Sequence, residues 1–127
     1  MKKLLIIPLL FACYMSIGQT ESSAFIIGKP IKIGNILVAE NDFPKLMNWV
    51  DAKRACAALG KGWRLPTKAE LNILYQNKDK IGGFAVIIYW SSTEIDNAVV
   101  CAQGFTNGRL FNDKVDVKDA VRAVRSL

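Results

Sequence analysis

The stretch GWRLPTKAEL, residues 62–71, decides the fold. Thr67 and Glu70 stand three apart as a T-x-x-E capping box, in which the threonine hydroxyl accepts from the Glu70 amide while the carboxylate reaches back to the Thr67 amide. Pro66 forces Leu65 into an extended conformation and so sets the direction of the chain into a helix. The spacing predicts that helix from Lys68 to about Gln76, with Leu71, Leu74 and Tyr75 inward. Trp63 and Leu65 lie on the extended approach and point to the core. Arg64 between them points the other way or reaches a cluster of backbone carbonyls. On these residues alone the stretch is a structural corner.

Working upstream, Asn48 caps a first helix, Asp51 follows three residues on, and Gly60 supplies its C-terminal stop. Trp49, Ala52, Cys56 and Leu59 share one face of it, and Lys53 and Arg54 fall outside. Residues 25–27, 31–33 and 35–39 are short apolar runs broken by Gly28, Pro30 and Gly34, which predicts strands or extended segments. Residues 40–44 form a turn.

Downstream, residues 77–83 make a charged, glycine-ended loop, and residues 84–90 are apolar and β-branched, a buried strand. Ser91, Ser92 and Thr93 follow as a run of hydroxyls. Residues 98–105 predict another strand, and Asn107-Gly108 is a hairpin signal that returns the chain through Leu110 and Phe111. Residues 112–119 form a polar loop, and residues 120–124 alternate as a final strand.

At the N-terminus, Lys2 and Lys3 precede an apolar run over residues 4–17, and Ser16 and Gly18 take the −3 and −1 places of a cleavage site before Gln19. Residues 1–18 therefore read as a signal peptide, 19–34 as a leader with the first extended segments, and 35–127 as one domain. A second reading makes Cys13 the lipid-bearing first residue of a lipoprotein. The run is shorter than the ~20 residues a membrane span needs. Either reading exports the chain to the periplasm, the cell surface or the extracellular space.

The 17 Lys and Arg and 11 Asp and Glu are interspersed, a solvated surface rather than a nucleic-acid patch. The sequence has no histidine, which excludes Ser-His-Asp and Cys-His nucleophiles and His-based metal sites. In an oxidising compartment Cys56 and Cys101 are most economically read as one disulfide, worth roughly 4 kcal/mol on loop-closure entropy. Two buried free thiols are the alternative. A redox pair lacks its CxxC spacing.

Taken together, the blocks MNWVDAKRACAALGKGWRLPTKAELNILY, YWSST, FTNGR and VRAVR resemble the Lcl C-terminal domain family, a bacterial domain of unknown function named for the Legionella collagen-like protein. A sibling pattern occurs in the Fibrobacter succinogenes major paralogous domains. The likeness spans about residues 35–125. It implies an α+β, C-type-lectin-like fold: two helices flanking a small twisted, mostly antiparallel sheet, with a long loop region on one side. It also implies a cysteine on the first helix bridged to a late strand, in support of Cys56 and Cys101. Trp63, Arg64, Leu65, Pro66, Thr67 and Glu70 would be its corner; Trp90 with Ser91, Ser92 and Thr93 its strand-and-turn block; Arg122 and Arg125 its terminal signature, in a structural role.

Function is less legible. The Glu-Pro-Asn and Trp-Asn-Asp motifs of calcium-dependent lectins are missing. Glu94, Asp96 and Asn97 are left either as ligands to a cation or polar molecule or as a solvated acidic loop. Formylglycine-generating enzymes, of related fold, need a reactive cysteine, and Cys56 on an apolar helix face lacks that setting. Tyr89, Trp90, Arg109 and Phe111 offer a carbohydrate-stacking surface unless the first two are core. Arg64, Arg122 and Arg125 form an anion site if they converge, and structural pairs if they do not. The expectation is a non-enzymatic adhesion or binding module for a glycan or other extracellular polymer, with no catalytic residue, metal or cofactor. The alternative is a structural or protein-interaction domain of an envelope assembly with no small ligand.

Overall fold

In the computed structural model, which describes residues 22–127, a helix stands where the sequence predicts a first strand. Ser22 Oγ accepts from Phe25 N at 3.1 Å and starts α1 (Ser23–Ile27), which Gly28 ends at φ 53°. Ile26 is wholly buried. The fold thus begins ahead of residue 35, because this helix joins the core and β1 (Ile31–Ile33) pairs with β2 (Ile36–Val38). The signal sequence, its cleavage site and Cys13 lie outside the described residues.

Asn48 Oδ1 accepts from Asp51 N at 2.9 Å and opens α2 (Trp49–Ala58), whose Trp49, Ala52 and Cys56 are buried. The corner follows as β3 (Trp63–Arg64) and α3 (Lys68–Gln76), with both halves of the capping box made. Arg64 closes it from the side, its guanidinium 2.7 and 3.0 Å from the two Glu70 oxygens. A single further turn, α4 (Lys78–Ile81), replaces part of the predicted loop because Ile81 turns inward.

The remaining strands are β4 (Ile88–Asp96), β5 (Val99–Gly104), β6 (Leu110–Lys114) and β7 (Val124–Ser126). Three boundaries differ from expectation. β4 starts later and runs on through the hydroxyl block, since Ser91 Oγ donates to Cys101 O and accepts from Thr93 N, satisfying backbone where the register shifts. β6 takes in part of the predicted polar loop. The predicted strand over residues 120–124 begins only at Val124, because Ala120 is held by Ile88 and Trp90, Val121 by Phe43 and Ala123 by Ala39, three separate places rather than one ladder.

Instead of one sheet there are two, both antiparallel, in orders β1-β2-β7-β3 and β4-β5-β6. One core gathers Trp49, Trp63, Trp90 and Val121; the other gathers Leu71, Leu74, Tyr89 and Phe105. The fold class is α+β and C-type-lectin-like. Among the described residues no helix is long and apolar enough to cross a membrane.

The irregular segments 39–48, 82–87 and 115–123 meet around Arg122, which is 1% exposed. Its Nε donates to Asp42 Oδ1 at 2.7 Å, Nη1 to Ala39 O at 3.1 Å and Nη2 to Gly82 O at 3.2 Å, and its Cζ lies 4.0 Å from the centre of the Phe84 ring.

The expected Cys56–Cys101 disulfide is corrected: both cysteines are free and buried. Strand alternation explains it. Val100 and Ala102 of β5 share the core with Cys56, so Cys101 between them faces the other side, near Ser91 and Lys68.

Candidate functional site

Beyond the end of the β4-β5-β6 sheet lies an open cleft of about 490 Å³. Ile88, Gly104 and Phe111 floor it, Leu46, Val86 and Ile87 wall it, and Arg109 and Lys118 stand on its rim. The Asn107-Gly108 turn builds it: Arg109 N donates to Asn107 Oδ1 at 3.0 Å, and Gly108 N to Gly104 O at 2.9 Å. Gly108 has φ +83° and presses on Tyr75, where a Cβ would stand 2.6 Å from the ring, so only glycine fits. The Arg109 guanidinium then sits 5.5 Å from the centre of the Phe111 ring.

At the base is Asp119, 5% exposed, its Oδ2 without a hydrogen-bond donor among the described residues. Its backbone N and O pair with Met47 at 3.0 and 2.9 Å, which pins the carboxyl inside. Burial, helped by contact with the Asp113 carboxyl, pushes its pKa up to about 8.

On the far side of the same sheet a second groove, about 540 Å³, runs between α3 and β6 past Lys68, Asn72, Thr93 and Leu110. Gln103 floors it, donating to Asn72 Oδ1 at 3.0 Å and Gly108 O at 2.9 Å.

Of the residues singled out in sequence, Arg109 and Phe111 come together. Tyr89 and Trp90 do not join them, since neither has any exposed surface. Tyr89 packs on Phe105 at 4.6 Å and donates its hydroxyl to Asp42, while Trp90 Nε1 donates to Met47 O at 2.7 Å. A ring spent on the core cannot stack on a ligand.

Glu94, Asp96 and Asn97 are exposed at the opposite end of β4, roughly 26 Å from Ile88 at strand rise. Among the described residues no group of three or more acids or cysteines is placed to hold a metal. The three arginines make no anion site, because Arg64 is paired with Glu70 and Arg122 with Asp42, leaving only Arg125 exposed on β7.

The long block over residues 47–75 and the YWSST block form one joint. Ser92 N donates to Pro66 O at 2.8 Å, Lys68 N to Thr93 Oγ1 at 2.8 Å, and Trp49 Nε1 to Ser91 O at 3.0 Å. Sequence reasoning missed Leu46, Val86, Lys118 and Asp119. They belong to three separate loops, and no local pattern marks loops that converge.

No family model matches the chain, and no curated protein matches it. Solved structures do. Botrocetin is similar at a TM-score of 0.60 and 12% identity over 79% of this chain and 98% of its own. The snake venom toxin convulxin aligns at 0.61 and 11% over 79% and 96%. EMS16, an antagonist of the collagen receptor integrin α2β1, aligns at 0.57 and 12% over 77% and 97%. At such identity the likeness is one of fold.

Proposed function

We propose that the chain is an exported, non-enzymatic binding module of the Lcl C-terminal domain kind, which takes a glycan or another extracellular polymer in the Arg109–Phe111 cleft without calcium. The observation that carries the reading is the guanidinium held over an aromatic ring inside an open, solvent-facing cleft. The apolar face of a sugar ring packs on Phe111, for about 0.5–1.5 kcal/mol beyond area burial if it behaves as an aromatic pair does. Arg109 directs hydrogen bonds to its oxygens.

The thiols fit no enzyme of the formylglycine-generating kind. Burial pushes Cys56 up to about 12, and burial raises Cys101 as well, so neither supplies a thiolate near neutral pH.

A glycan array probed with and without chelator tests the reading. Binding unchanged by chelator and reduced about tenfold or more in Phe111→Ala and Arg109→Ala is the expected result; blank arrays, or binding lost to chelator, overturn it. A second reading, a protein-interaction domain with no small ligand, is favoured by the exposure of Val86 (73%) and Leu46 (51%) on one wall. Blank arrays together with a protein association weakened by Val86→Asp would select it.

A further inference from the structure

The three-stranded sheet ends in a bare edge. β6 is its outer strand, and among the described residues no strand pairs beyond it. Gly104 N donates to Arg109 O at 2.8 Å and Val115 N to Ala98 O at 3.0 Å. The alternation of an antiparallel ladder therefore turns residues 109, 111, 113 and 115 toward β5. Leu110 and Asn112 then aim both N–H and C=O outward. Lys114 aims its N–H, its carbonyl being taken by Val117 N at 3.0 Å.

These are the strand's exposed residues. The other sheet's edges are shorter and less open: β1 has three residues with Lys32 at its middle, and β3 has two. A five-residue edge with free backbone groups is a template for another extended chain unless something covers it.

We propose that β6 accepts an extended segment of a partner protein by strand addition, the segment alternating acidic and apolar side chains. The alternation follows from what lies on each side of the edge. Leu110, Asn112 and Lys114 point to the α3 face, where Lys68 lines the groove beside Leu110. The Lys68 charge acts on the thiol of Cys101, which stands directly across from Asn112. Two ammonium groups, those of Lys68 and Lys114, thus flank the outward edge on that face, and acidic side chains complement them. On the opposite face the edge presents half-buried Phe111 between Arg109 and Asp113, and because the Asp113 carboxyl turns to Asp119, Phe111 is the neighbour that the next residues of the added strand meet. Main-chain bonds give affinity in such a mode and the alternate side chains give specificity. A second copy of this chain is the poorer occupant, because it brings the same lysines to the same edge. The proposal does not depend on what fills the Arg109–Phe111 cleft.

The test uses fluorescein-labelled, end-blocked (Glu-Val)4 and (Lys-Val)4 peptides with the full chain, read by anisotropy. The expected result is saturable binding of the acidic peptide at least about tenfold tighter than the basic one. Hydrogen exchange of the Leu110 and Asn112 amides slows on its addition to the unaltered protein. Asn112→Pro removes one outward N–H and no bond to β5, a place where edge strands tolerate proline. It weakens the acidic peptide at least about tenfold with the melting temperature unchanged, and Lys114→Glu narrows the charge preference.

No peptide binding, equal binding of both peptides, or unchanged exchange at residues 110 and 112 overturns the proposal. So does self-association in the ultracentrifuge that Asn112→Pro abolishes. Glycan binding that persists in Asn112→Pro separates this edge from the cleft reading, and a blank glycan array with peptide binding intact removes the cleft reading alone.

Discussion

The Arg122 guanidinium lies 2.7 Å from the Asp42 carboxylate, its side chain without exposed surface, across eighty residues of sequence. That pair, with the carbonyls of Ala39 and Gly82, ties three loops to the second core. Removing one partner of a buried pair leaves the other uncompensated, at a cost of about 3–5 kcal/mol.

Arg122→Ala is therefore expected to lower the unfolding free energy from urea denaturation by that much or prevent folding. Arg122→Lys recovers only part, since an ammonium cannot fork to three acceptors in one plane. A lysine variant as stable as the parent would show that charge alone holds the loops.

Two carboxyls are expected to give stability opposite slopes with pH. The Arg64 hydrogen bond holds Glu70 below the usual carboxylate range, so its contribution is present above the ordinary glutamate pKa and fades as pH falls through the lowered one. Asp119 is raised, so its contribution is complete below the ordinary aspartate pKa and is lost as pH climbs toward about 8. Denaturation curves from pH 3 to 9 check both. Glu70→Gln flattens the fall in stability below the ordinary glutamate pKa, and Asp119→Asn flattens the fall between the ordinary aspartate pKa and about 8; a wild-type slope left intact by either variant contradicts the assignment.

Neither Cys56 nor Cys101 reacts with a thiol reagent in the folded protein, and both react once guanidinium unfolds it. Burial accounts for the first half, and the opposed faces of α2's core and β5's outer side for the second. An unfolded, unreduced chain that lacks those two titratable thiols would establish the bridge instead.

The parts legible from sequence were those whose cause is local. The Thr67–Glu70 box, the Asn48 cap and the Asn107-Gly108 turn each rest on residues within three or four positions, and each is found where its spacing puts it. Residues 23–27 were misread because a five-residue helix has no room to show a period. Ser91 to Thr93 hid the length of β4, since their hydroxyls do work in the backbone that composition assigns to a turn. The cleft was half legible: Arg109 and Phe111 neighbour the turn that presents them, while Asp119 and Val86 arrive from loops placed by Arg122, a long-range contact with no local mark.

β5 has a partner strand on both sides and is buried on both faces. Val100 and Ala102 sit among the tryptophans while Gln103 reaches Asn72 on α3. A single-residue insertion or deletion there would exchange the two sets, sending an amide into the tryptophan core and withdrawing it from Asn72. Variation in the length of this strand is therefore confined to even steps, and comparison of natural homologues by gap size alone should locate it.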